Sequence, residues 1–154
     1  MITPQQLAGL LTHPRIVAWL LTRASRNPYL DIGDYMGRGW IFNPYDRPQN
    51  WLMRRLPSIR LHIIHRADSD RHLHDHPWNA RSIILRGWYI EQRNDGFRVR
   101  KAGDTHTLRY GEYHRIQSVS QHTPPVTLFI TGRYRGTWGF LVDGEKVPHR
   151  EYLK

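Results

Sequence analysis

Two textures divide the chain. From residue 4 to 25 apolar residues recur at helical spacing: Leu7, Leu10, Leu11, Ile16, Ala18, Trp19, Leu20 and Leu21. Pro14 interrupts the run, so the pattern predicts two helices. The first is capped by Thr3 and begun by Pro4, and the second starts at His13-Pro14 and runs to about Arg23. Helices this apolar must cover one face of a sheet. Residues 26–57 are dense in turn signals: Asn27-Pro28, Gly33, Gly37, Gly39, Asn43-Pro44 and Arg47-Pro48. Within them Trp40-Ile41-Phe42 reads as a short strand, and Trp51, Leu52 and Met53 as an anchor for the loop.

From Ser58 the period changes to that of strands. Short β-rich runs span Ile59–His65, Ala80–Glu91, Phe97–Lys101, Thr105–Arg109, His114–Val119, Val126–Thr131 and Thr137–Val142. Asn94-Asp95-Gly96 is a hairpin signal, and Lys101-Ala102-Gly103-Asp104 a second turn. Runs this short and this closely spaced predict an antiparallel sandwich or barrel. The expected organisation is one domain over 1–154: a helical and irregular extension at 1–57, a β core at 58–142, and a tail at 143–154.

Composition narrows the chemistry. Six Trp, eight Tyr and 39% hydrophobic residues in 154 support one real core. There is no cysteine, so disulfides and thiolate metal sites are excluded. No apolar run approaches about 18 residues, and no secretion signal is visible, so a cytoplasmic protein without a membrane partner is expected. The net charge is +10, and 20 of the 23 basic residues are Arg. That charge admits a nucleic-acid partner, but the Arg residues are scattered rather than blocked, as on a solvated surface.

The histidines carry the chemistry. His72, His74 and His76 alternate in Arg71-His72-Leu73-His74-Asp75-His76-Pro77-Trp78. Alternate residues of a strand point to one side, so His74 and His76 can aim at one point. Two imidazoles are good ligands for a divalent transition metal but need at least one more donor. Downstream, Gly103 is followed by five residues, Arg109-Tyr110-Gly111, two residues, His114, three residues and Ser118. This resembles the second motif of the cupin superfamily, with Arg109 in place of its proline and Ser118 in place of its asparagine. The first cupin motif resembles His74-Asp75-His76, three residues, Ala80, six residues and Gly87, with Ala80 where the motif has glutamate. A His-Asp-His-Pro-Trp run with a later Thr131-Gly132-Arg133 and Trp138-Gly139-Phe140 is similar to an uncharacterised cupin-like group.

The resemblance covers about residues 58–142. It implies a mainly β, antiparallel cupin-type barrel (a double-stranded β-helix) with the N-terminal α-helices packed outside. It also implies a divalent metal ion, Fe²⁺, Zn²⁺ or Ni²⁺, on His74, His76 and His114. The alternative for these three is a structural role, as hydrogen-bonded histidines lining the fold. If the two histidines face inward, so do Ala80, Ser82 and Ile84, while Ile83 and Leu85 face the helices. Ala80 leaves coordination positions open for a small-molecule ligand, at a pocket expected in the barrel mouth. Glu112 is a substitute ligand, His72 and His62 are alternative histidines, and Asp75 has the wrong parity. His106, His122, His13 and His149 look peripheral. Tyr89, Glu91, Arg86, Arg109 and Arg133 are further candidates, an inward Arg favouring an anionic ligand. The expected functions are a metal-dependent small-molecule enzyme of dioxygenase-like or other metal-assisted type, or a non-catalytic binding module. A homodimer through the helices or a sheet edge is also expected.

Overall fold

The computed structural model describes residues 2–29 and 32–154. Helices α1 (Pro4–Leu11) and α2 (Pro14–Ser25) precede ten strands: β1 (Met36–Phe42), β2 (Ser58–Ile64), β3 (Ala80–Arg86), β4 (Trp88–Arg93), β5 (Gly96–Lys101), β6 (Thr105–Leu108), β7 (His114–Val119), β8 (Val126–Thr131), β9 (Gly139–Val142) and β10 (Glu145–Pro148). A short helix α3 (His149–Tyr152) ends the chain, and one 3-10 turn spans Met53–Arg55.

The helices form where caps and breakers dictate. Thr3 Oγ1 accepts from Gln6 N while Gln6 Oε1 accepts from Thr3 N, which starts α1 as a capping box. His13 Nδ1 accepts from Arg15 N at the start of α2. Ala8, Val17, Leu20 and Ala24 are the buried faces, packed on Leu61, Ile83, Leu85, Val126 and Leu128. A buried Val or Leu is worth about 1.5–3 kcal/mol, so this contact fixes the helices outside the sheet.

That sheet has the order β1-β2-β8-β3-β6, antiparallel throughout. Its outer face carries the apolar residues under the helices. Its inner face carries a row of paired residues running Trp40, Arg60, Phe129, Ser82 and His106 from one edge to the other. The opposing layer is β5-β4-β7 and the β9-β10 hairpin. Residues 73–75 join these two pieces: His74 exchanges backbone hydrogen bonds with His114 on β7, and Leu73 and Asp75 pair with Leu141 and Gly139 on β9.

Several elements differ from expectation. β1 begins at Met36 rather than Trp40, because Gly37 and Gly39 are strand residues and not turns. Helix α2 lies so close that a Cβ on Gly39 would stand 2.3 Å from Ala24 O. The loop after β1 is held by Asn43, whose Nδ2 donates to Met53 O, Leu56 O and Pro57 O. Trp51 and Leu52, expected as anchors, are exposed. The run Ala80–Glu91 is two strands broken at Gly87. Residues 145–152 form β10 and α3 rather than a tail.

Candidate metal centre

His74 and His76 reach the interior from the bridging segment, not from a regular strand as the alternation suggests. Pairing on both sides gives the segment extended geometry, so the parity argument holds. His74 and His76 face one way. Asp75 points the other way, fully buried, accepting from Gly139 N at 2.8 Å and from Lys146 Nζ at 2.5 Å. His114 is the first residue of β7, presented beside His74 by their shared backbone bonds.

The three rings form a nearly equilateral triangle. Centroids stand 5.3 Å apart for His74–His76, 5.0 Å for His74–His114 and 5.1 Å for His76–His114. One ring nitrogen from each lies within 4.8 Å of the others. Nε2 of His76 and Nε2 of His114 are 2.9 Å apart. Two imidazole nitrogens sharing an ion at about 2.1 Å stand roughly 3 Å from each other, so the donor set fits a metal. Surrounding protein desolvates the rings, and His114 lies close by; both effects depress His74 to about 4 and push His76 well below the usual histidine range. Neutral imidazole is the ligating form.

Behind His114 lies Glu91, fully buried. Its Oε1 is 3.0 Å from His114 Nδ1, 3.1 Å from Arg93 Nη2 and 3.7 Å from His106 Nε2. Its Oε2 accepts from Arg100 Nε at 2.9 Å and Nη2 at 2.7 Å. Burial alone would raise this carboxyl. The adjacent His114 imidazole, then His106 and Arg93, instead hold it below the ordinary carboxylate range. A carboxylate on the remote ring nitrogen fixes which nitrogen of His114 faces inward.

The remaining candidates sort by position. Ala80 is buried on the inner face against Leu108, Phe129 and Trp78, and Phe129 and Trp78 in turn lie against His76. Tyr89 is buried in the interior, its hydroxyl pushed up chiefly by burial. His62 is buried, stacked on Phe129 at 4.9 Å and accepting from Arg60 Nε at 2.9 Å. Four expectations differ from the structure. Glu112 is engaged away from the three histidines: its Oε2 accepts from Arg109 N and Arg93 Nη1 in the turn after β6. His72 turns away to Tyr152 Oη at 2.9 Å. Arg109 and Arg133 are exposed, while the interior guanidinium is Arg60. His106, expected to be peripheral, is buried beside Glu91. Arg60 lacked a motif signal; its alternation with His62 and Ile64 on β2 was the available cue. A cleft of about 180 Å³ lies between α2 and β1, lined by Leu21, Ala24, Pro28 and Leu61 among others. None of the three histidines lines it.

No protein-family model and no curated protein matches the chain. Solved structures do. A cupin 2 conserved barrel domain protein from Rhodopseudomonas palustris is similar at TM-score 0.52 and 13% identity, over 76% of this chain and 77% of that one. An uncharacterised conserved protein with a double-stranded β-helix domain from Klebsiella pneumoniae is similar at TM-score 0.51 and 13% identity, over 76% and 92%. A cupin-like protein from Thermotoga maritima is similar at TM-score 0.50 and 18% identity, over 76% and 81%. With its two antiparallel layers and with these neighbours, the protein has the cupin fold.

Proposed function

We propose that the protein is a metal-binding cupin in which His74, His76 and His114 hold one divalent ion that serves a small molecule. The observation that supports this best is the triangle of desolvated imidazoles, one of them backed by the buried Glu91 carboxylate. Bound Fe²⁺, Zn²⁺ or Ni²⁺ would supply Lewis-acid polarisation, and iron also one-electron chemistry with oxygen. The chain's own residues do the rest. Burial keeps His74 and His76 neutral, Glu91 orients His114, and Phe129 and Trp78 wall the site on the side of His76. Ala80 offers no donor atom where a fourth ligand is expected, which leaves room for ligand oxygen or nitrogen.

The test is metal content of full-length protein. Wild type and His13→Ala should carry one equivalent of ion after loading and desalting, and His76→Ala should carry none. Equal content in all three removes the proposal.

A non-catalytic binding module is a second reading, favoured by one observation. The carboxylate next to the histidines, Glu91, is engaged by Arg93 and Arg100 and is a weak proton acceptor. Oxygen uptake or turnover by Fe²⁺-loaded protein across a panel of small acids favours the enzyme. Ligand affinity without turnover favours the module.

A further inference from the structure

The inner face of the five-stranded sheet holds a cation with no anion beside it among the described residues. Arg60 is 4% exposed, and among the described residues no carboxylate pairs with it. The nearby acids are committed elsewhere: Glu91 to Arg93 and Arg100, and Asp75 to Lys146 on the other side of its segment. Arg60 Nε donates to His62 Nε2 at 2.9 Å and Nη1 to Tyr45 Oη at 2.5 Å. Nη2 donates to no acceptor among the described residues. Aromatic rings enclose the guanidinium, with Cζ 5.0 Å from the Trp78 ring and 5.1 Å from that of Phe129. Ring faces offset part of the desolvation of a buried cation, but they do not neutralise it.

The place of this charge is specific. Phe129 is near both Arg60 and His76, its ring 5.9 Å from the His76 ring, and Trp78 stacks on His76 at 6.1 Å. The cation and the three histidines therefore flank the same two rings. With the ion in place the interior would gain further positive charge with no acid left to balance it.

We propose that Arg60 receives the carboxylate of a small monocarboxylic acid whose other end reaches the three-histidine centre. The carboxylate contact follows from Arg60 alone; only the placing of the far end rests on the metal-binding reading above. One uncompensated cation matches one negative charge, and the planar carboxylate matches the N–H edge of a guanidinium that carries Nη2. A phosphate dianion would bring a second charge into a wall of aromatic rings.

The experiment uses full-length protein stripped of metal, titrated with acetate and with the neutral isostere acetamide. Tryptophan fluorescence is the readout, since Trp78 and Trp40 lie 5.0 Å and 5.8 Å from Arg60 Cζ. Acetate should give a saturable change and acetamide none. Arg60→Met should weaken acetate by about 10- to 100-fold, the loss expected for a hydrogen bond to a charged group, while Arg109→Ala and Arg133→Ala leave it unchanged. If Arg60→Met does not fold, the wild-type protein decides: the ¹⁵N resonance of Arg60 Nε should move with acetate and not with acetamide. Acetate affinity that survives Arg60→Met, or an Arg60 resonance that stays still, overturns the proposal. Zn²⁺ uptake by the same preparation is measured separately. Uptake without Arg60-dependent acetate binding removes the anion site and leaves the metal reading, and the converse result does the reverse.

Discussion

Glu91 links two questions, how the fold tolerates a buried acid and how His114 is aimed. Fully buried, it is surrounded by Arg93, Arg100, His106 and His114. Removing one partner of a buried ion pair costs about 3–5 kcal/mol, because the other charge is left without an anion. Losing the acceptor behind a ligating histidine weakens metal binding by about 10- to 100-fold. Glu91→Gln keeps the shape and removes the charge, so both losses are expected together. They are read by urea denaturation and by competition with a chelator. Glu112→Gln is the control. It also touches Arg93 but not His114, so metal affinity should stay unchanged. Loss of metal affinity in Glu112→Gln alone would assign the orienting role wrongly.

At the scale of elements, the break between β3 and β4 shows what a turn residue does. Gly87 has φ of +70°, and a Cβ there would stand 2.6 Å from Thr123 O. The left-handed conformation costs a non-glycine residue about 1–2 kcal/mol, and the clash with rigid backbone adds to it. Gly144, in the β9-β10 turn, has φ of +87° and open space around it. Gly87→Ala should therefore destabilise the protein clearly more than Gly144→Ala, measured as the shift in urea midpoint. Equal shifts would mean that the chain around Thr123 yields. The two motif spacings made the histidine triangle and Gly87 legible in the sequence, and helical periodicity made α1 and α2 legible. The first half of β1, Met36–Gly39, was hidden because its glycines answer to a helix packed across the sheet, a contact no local pattern carries. Glu91 was visible as a candidate, but its tie to His114 crosses from β4 to β7 at a register shift between Ile90 and Glu91. Arg60 was obscured among many surface arginines, since burial of one guanidinium depends on the rings that close over it.

For the whole molecule, buried neutral histidines set the response to acid. His62 lies well below the usual histidine range, through burial first and then Arg60 and Arg38. His106 is lowered to about 3, again chiefly by burial, although Glu91 opposes the shift. Both folded-state values are depressed, so the unfolded chain binds more protons below the ordinary histidine value of about 6.5. Their stabilising contribution is complete above that pH and is lost progressively as pH falls toward the folded values. Each group then removes on the order of 2 kcal/mol by about pH 5, so these two alone remove a large part of a typical domain's 5–15 kcal/mol. His74 and His76 are shifted the same way and add to the loss. Protein kept in chelator should accordingly show a urea midpoint that is flat above about pH 7.5 and falls steeply between about pH 6.5 and pH 5. His62→Phe, close in shape and without a titrating group, should flatten that fall by roughly one proton's worth of slope, about 1.4 kcal/mol per pH unit. Stability independent of pH across this window would show that the interior imidazoles take up protons in the folded state. In that case they are solvated, and His74 and His76 could not be held neutral by burial.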